Sequence, residues 1–438
     1  MGLTTLSALV IANMVGAGIF TSTGFSMAAL GNPGRVMFAW VVCGLWAVCG
    51  AIAYGGLVSR LPQSGGEYLF LSRFVHPAVG FIAGWISVIA GFTAPISVAA
   101  LTAAVYLLPG QEEGALPLKL AAAALIVVAT ICNVIGLTLG KAAQNLIVGL
   151  KLILLAITIL WAFFFTSSEL WVGTALTDRD PSWCPSGFGE WSTFVASMSW
   201  IALSYTGFNA AIYVAGESKN SRTLVPRSML LATLFVTGIY WLLNIVYVYA
   251  PPPESISLQP DVAAIATEHI GGTSLSNLIR LVIILSMSSS VFAMLLAGPR
   301  VYQKMAEDGA MPQILKGKVG SPVQAIVFQA ILSIIPLFLA NLLELMQYLG
   351  LTLSACGALA VTSLWWVRAK LPEAKPLRAY EIVALVIYLG ITLLILAAAW
   401  KEQHTKFLWM AGTFALGLVV YGVALILKSD QPAPPASS

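Results

Sequence analysis

The chain is built around apolar stretches that are too long and too poor in charge to form the core of a water-soluble domain. A helix needs about 20 apolar residues to cross the hydrocarbon of a bilayer. Twelve such segments follow one another, over 4–30, 35–60, 76–108, 117–136, 141–166, 191–216, 227–250, 275–306, 321–341, 344–368, 379–400 and 406–428. Of 438 residues, 59% are hydrophobic and 9% charged, where a soluble domain carries about 25% charged residues. The 22 basic and 18 acidic residues cannot cover a folded surface of this size. A soluble enzyme, a nucleic-acid binder and a disordered scaffold are thereby excluded. The expectation is an all-α integral membrane protein with 12 transmembrane helices. The first segment is too long for a signal peptide and carries no small-residue cleavage site. The Pro/Ser/Ala tail 431–438 is expected to be disordered.

Lys and Arg favour the cytoplasmic side of a membrane. With the N-terminus inside, fifteen of them fall on cytoplasmic segments and six, including Arg35, Lys119 and Arg280, on the other side. That asymmetry predicts a multi-pass protein of the cell membrane with both termini cytoplasmic. The five Cys (Cys43, Cys49, Cys132, Cys184, Cys356) and three His (His76, His269, His404) are scattered, without CxxC or HExxH spacing. Neither a disulfide framework nor a metal site is expected, and no cofactor is implied.

Backbone inside lipid must satisfy its own hydrogen bonds, so a broken spanning helix is tolerated only where it lines a protein cavity. The first segment contains Asn13-Met14-Val15-Gly16-Ala17-Gly18-Ile19-Phe20, and the sixth contains Ser204-Tyr205-Thr206-Gly207-Phe208-Asn209. Glycine weakens a helix by about 1 kcal/mol relative to Ala. Close packing through small residues is the plainer account of either site alone. The two sites occupy matching places if segments 1–5 and 6–10 are copies of one unit, and paired interruptions of this kind point to a transporter's binding site. A helix N-terminus after Gly16 offers N–H groups and a positive dipole end to a carboxylate. The freed carbonyls suit an ammonium, and both together suit an α-amino acid.

Lys151 lies nine residues from the start of its segment, about 13 Å at 1.5 Å per residue, and about 21 Å from its end. Such a residue is a functional candidate by default, either as a structural cation satisfied by carbonyls or as a proton carrier. No Asp or Glu lies deep in any segment, which favours neutral substrates over cationic ones.

Four motifs in this order, Asn13 to Phe20 (NMVGAGIF), Leu61 to Tyr68 (LPQSGGEY), Tyr205 to Asn209 (YTGFN) followed by Gly216-Glu217, and Gly298 to Gly309 (GPRVYQKMAEDG), carry a resemblance over nearly the whole chain. The sequence resembles the amino acid–polyamine–organocation superfamily, and within it bacterial amino acid permeases close to the L-type amino acid transporters. The resemblance implies a leucine-transporter-like 5+5 inverted repeat plus two C-terminal helices, with helices 1 and 6 broken at mid-membrane. Its units would be 1–168, 191–368 and 369–430, ahead of the tail. It implies that the substrate carboxylate meets the N–H groups of Gly16, Ala17 and Gly18, and that the ammonium meets carbonyls of Met14, Leu203 and Thr206. Val15, Gly207, Phe208 and Asn209 complete the implied substrate site. Lys151 matches a lysine that stands where sodium-coupled relatives hold an ion, with first-helix carbonyls and the hydroxyls of Ser289 and Ser290 as its implied neighbours. Tyr240 is implied to brace the site.

Departures from the family pattern are Ala17 in place of a frequent Ser, Leu203 in place of a frequent gating aromatic, a role Phe208 would share, and Gly56 in place of a frequent acid. The loop from Pro109 to Leu116 holds no Cys, so a disulfide-linked heavy chain is not expected as a partner. The implied activity is sodium-independent exchange of neutral L-α-amino acids by alternating access. The alternatives are a proton-coupled symporter and, further off, an amino acid sensing receptor. An enzyme is not expected, because Lys151 stands alone at its depth and Gly136 to Lys141 has only three residues between its glycines where a P-loop needs four.

Overall fold

A computed structural model describes residues 1–136, 141–171, 183–307 and 323–429. The tail 431–438, the end of the GPRVYQKMAEDG motif and most of the Gly136–Lys141 stretch lie outside the described residues. The described chain is all-α, with no strand. Its helices are α1 (Leu3–Met14), α2 (Ala17–Leu30), α3 (Pro33–Arg60), α4 (Gly66–Phe74), α5 (Pro77–Ile86), α6 (Ala94–Leu107), α7 (Leu116–Val134), α8 (Lys141–Phe165), α9 (Phe188–Tyr205), α10 (Ser221–Tyr249), α11 (Pro253–Ile256), α12 (Val262–Glu307), α13 (Val323–Leu339), α14 (Leu342–Thr362), α15 (Val367–Lys370), α16 (Ala379–Glu402) and α17 (His404–Ser429). A π-helical turn, Ser87–Thr93, joins α5 to α6, and a 3-10 stretch, Ala210–Glu217, follows α9.

Each of the twelve apolar segments coincides with one helix or with one interrupted run of helix. Nine helices among the described residues are long and apolar enough to cross a membrane, ten when α1 and α2, bent by 41° at their junction, count as one span. The other two segments fall short for local reasons. The sixth is divided between α9 and the 3-10 stretch, and α13 has 17 residues.

The helix ends follow from their sequences. Asn32 caps α3 by accepting from the N–H of Gly34 at 2.7 Å, with Pro33 in the first turn, where its missing N–H costs nothing. Asn341 and Glu344 form a reciprocal capping box on α14. The molecule buries large aromatic side chains and exposes apolar ones. Trp40, Trp46, Tyr54, Tyr106, Tyr205, Tyr240 and Tyr388 are fully buried. Leu146, Leu150, Ile153, Ile157 and Leu160 form an exposed face on α8, and Leu393 and Leu394 one on α16. Water would not tolerate such faces, and lipid requires them, so the chain is a multi-pass membrane protein.

Several buried polar groups are hydrogen-bonded across helices, as a low-dielectric interior favours. The Trp46 indole donates to Thr392 at 2.9 Å, the Trp200 indole to Ser26 at 2.9 Å, and the Tyr106 hydroxyl to the Phe20 carbonyl at 2.7 Å. Helix α10 packs most extensively against α3 and also against α1, while α12 packs against α6 and α8. That arrangement brings the breaks of the first and sixth segments together in the middle of the bundle.

Candidate functional site: two broken helices at the centre of the bundle

The first break is two residues wide. Helix α1 ends at Met14, and α2 begins at Ala17 with Gly16 as its N-cap in extended conformation and no side chain capping it. The N–H groups of the first turn, those of Gly16, Ala17 and Gly18, therefore lack intrahelical acceptors and carry the positive end of the helix dipole. A Cβ on Gly16 would meet nothing nearer than the Met14 carbonyl at 4.0 Å, and Gly16 and Ala17 are only half-buried. This is a small space beside unpaired donors.

The second break is longer. Helix α9 stops at Tyr205, and Thr206 is extended (ψ 152°). Gly207 has φ +95°, which L side chains rarely adopt. Asn209 then starts the 3-10 stretch. The two breaks pack directly on each other. A Cβ on Gly18 would fall 2.2 Å from the Ser204 hydroxyl, and one on Gly207 would fall 2.9 Å from the Asn13 backbone. The Ser22 and Ser204 hydroxyls are 3.0 Å apart across the same contact.

Tyr240, fully buried on α10, joins the two breaks. Its hydroxyl lies 2.7 Å from the Met14 carbonyl and 3.1 Å from the Ser204 carbonyl, groups that an unbroken helix would have satisfied. Its ring is held edge-on by Trp40 and Tyr205, with centroids 5.6 and 5.3 Å away. Lys151, 4% exposed on α8, donates to the Val15 carbonyl. A deeply buried cation is thus fastened to the first break. No hydrogen bond joins it to Ser289 or Ser290 among the described residues, and the Ser290 hydroxyl donates instead to Ser286 of its own helix at 3.0 Å.

Other predicted residues sit differently from the sequence expectation. The Leu203 carbonyl already accepts from the Thr206 N–H at 3.0 Å and the Thr206 hydroxyl at 2.7 Å, so its lone pairs are in use. The Leu203 side chain packs against the core from a half-buried position. Phe208, 4% exposed, has its ring among Trp46, Tyr54 and Tyr388, with centroids 5.9, 5.8 and 6.4 Å away. The peptide turn at Gly207 directs that ring into the α3–α16 contact, where it anchors the unwound segment and does not lie across the break.

One residue of this region does not stand out in the sequence. Glu67, on the short connecting helix α4, is 6% exposed and reaches the end of the second break. It accepts from the Tyr54 hydroxyl at 3.0 Å, the Asn209 amide at 2.5 Å and the Tyr213 hydroxyl at 2.5 Å. An acid does approach the breaks, from a connector and not from a spanning segment. Its only sequence signal is its place in LPQSGGEY. Because a carboxylate can only accept, the Asn209 amide presents its NH2 to Glu67, and its carbonyl oxygen is left as an acceptor.

The arrangement sets helix N–H donors and freed carbonyls side by side at the two breaks. Among the described residues there is no group of three or more His, Cys, Asp or Glu fit to hold a metal, and Lys151 has no acid or nucleophile bonded to it.

Comparison with known proteins agrees with this architecture. The amino acid permease family matches residues 1–426. Large neutral amino acids transporter small subunit 2 of Mus musculus is 23% identical over 414 residues, covering 92% of this chain and 76% of the relative. The b(0,+)-type amino acid transporter 1 of Mus musculus is 23% identical over 440 residues, covering 98% and 88%. The serine/threonine exchanger SteT of Bacillus subtilis is 26% identical over 347 residues, covering 78% and 77%. These relatives are transporters, not enzymes. With its family matched over nearly its whole length and its two broken helices crossing at the centre of an apolar bundle, the chain belongs to the amino acid permease family of the amino acid–polyamine–organocation superfamily.

Proposed function

We propose that the protein exchanges neutral L-α-amino acids across the cell membrane without sodium, by alternating access around the paired breaks. The observation that carries this reading is the hydrogen bond from Lys151 to the Val15 carbonyl. It puts a tethered positive charge against the carbonyls of the first break, where a mobile cation would otherwise be needed to satisfy them. The substrate carboxylate takes the N–H groups of Gly16, Ala17 and Gly18. The ammonium takes the Thr206 carbonyl and the lone pair of the Met14 carbonyl that Tyr240 leaves unused, with Asn209 supplying a further oxygen. Segments 1–5 and 6–10 act as the two inverted units, and both termini face the cytoplasm.

Preference for neutral side chains is supported by how Glu67 is held. Three donors take three of the roughly four acceptor positions on its two oxygens, so most of its acceptor capacity is already in use. Exchange is supported by the naming of SteT as a serine/threonine exchanger. The five cysteines are free, three of them buried, and the connector between α6 and α7 contains none. The protein is accordingly proposed to act without a disulfide-linked heavy chain.

The test is uptake of radiolabelled serine, threonine and leucine into proteoliposomes of wild type and Lys151→Ala, either preloaded or empty, with sodium and pH gradients set independently. The expected result is uptake confined to preloaded vesicles, indifferent to sodium and reduced at least about tenfold by Lys151→Ala, a loss of about 1.4 kcal/mol or more. A sodium requirement, uptake into empty vesicles driven by inward acid, or full activity of Lys151→Ala would overturn the proposal.

A further inference from the structure

A cavity of about 660 Å³ opens between the end of α3, the start of α10 and the connector that leads into α16. None of its lining residues comes from α1, α2, α8, α9 or α12, so it is separate from the central breaks. Its outer end is cationic. Arg222, Arg227 and Lys375 are exposed, and the side chain of none of them makes an ion pair or hydrogen bond with another described residue. Arg378 stacks on Tyr380, with its guanidinium 5.8 Å from the ring centroid. Two acids also line the cavity. Glu381 is already committed to Arg60 at 2.8 Å, in a pair whose side chains are 4% and 7% exposed. That leaves Glu373 alone against four cations.

The inner end is apolar. On α3 the lining runs inward from Arg60 to Gly55, Ile52 and Ala51, and on α10 from Arg222 to Pro226 and Leu230. At 1.5 Å per helical residue the α3 wall reaches about 13.5 Å inward of Arg60, while on α10 Leu230 lies about 4.5 Å beyond Arg227. Basic residues at this end of a membrane protein are ordinary. What is particular here is that helices from two distant parts of the chain and a connector turn theirs into one cavity, whose deeper walls are apolar. A soluble anion would use the mouth and leave the slot empty, whereas an amphiphile with an anionic head and a hydrocarbon tail fits both.

We propose that this cavity binds an anionic phospholipid, with its phosphodiester between Arg222, Arg227 and Lys375 and an acyl chain along the slot between α3 and α10. Guanidinium groups suit the role because they bond phosphate oxygens bidentately and desolvate more readily than an ammonium. Tyr380, half-exposed at the mouth, supplies the amphipathic ring that settles at headgroup level.

Native mass spectrometry of the full-length protein, delipidated and then titrated with phosphatidylglycerol or phosphatidylcholine, tests this. Wild type is expected to retain phosphatidylglycerol at least tenfold better than phosphatidylcholine. Arg222→Gln/Arg227→Gln is expected to bind phosphatidylglycerol roughly thirtyfold more weakly, as two basic contacts removed would predict. Leu230→Trp, which fills the slot and leaves the charges, is expected to weaken binding several-fold. Equal retention of the two lipids, or undiminished binding by both variants, would overturn the proposal. So would displacement of the lipid by millimolar inorganic phosphate, which would mark the mouth as a site for free phosphate.

Discussion

The two breaks use glycine for different purposes. At the first, Gly16 is extended, in a conformation open to any residue, with nothing but a carbonyl 4.0 Å from where a Cβ would stand. At the second, Gly207 has φ +95° and its missing Cβ would lie 2.9 Å from the Asn13 backbone. The first glycine leaves room for something that is not protein. The second makes possible a backbone path and a close contact that are protein. One break is therefore left open and the other is set by the fold, although in sequence both read as a glycine among small residues at mid-span.

The contrast has consequences that can be ranked. Gly207→Ala should be the most damaging change, because a left-handed conformation costs an L residue about 1–2 kcal/mol and overpacking a further 1–3 kcal/mol. It should lower the melting temperature in detergent and abolish uptake, and a variant as stable as wild type would show that the path at Gly207 is not needed. Tyr240→Phe comes next. Removing its hydroxyl strips the Met14 and Ser204 carbonyls of a partner, at about 1 kcal/mol for a hydrogen bond, and uptake should fall roughly fivefold with little change in expression. Gly16→Ala should be the mildest for the fold, with a nearly unchanged melting temperature, since the about 0.4–1 kcal/mol that Gly→Ala gains at a compatible backbone is offset by the poorer N-cap that Ala makes. Its effect should appear as a higher KM for the amino acid. A drop in stability there would erase the distinction between the two breaks.

Much of this architecture is legible in the amino-acid sequence. The twelve apolar segments form helices or interrupted helices because length and lack of charge leave lipid-embedded backbone no alternative. The breaks are legible for the same reason, since Gly16 and Gly18 in the first segment and Gly207 in the sixth stand out at mid-span. Three features are not legible. Glu67 lies in a connector whose composition reads as a solvated loop, and only the folding of α4 against Tyr54 and Tyr213 turns it inward. The direction of Phe208 depends on the dihedral angles of the residue before it, which no pattern encodes. The cationic cavity draws on residues from 51 to 381 and becomes a site only when α3, α10 and the connector before α16 meet.

The contact between the breaks also bears on timing. Gly18 lies against Ser204 on one side of the crossing, and Gly207 lies against Asn13 on the other, with Tyr240 pinning a carbonyl from each. Neither broken helix can slide past the other without a collision. In the exchange cycle proposed above the pair would then turn as a single lever, with opening towards one compartment geared to closing towards the other, and a carrier so built would not leak between strokes.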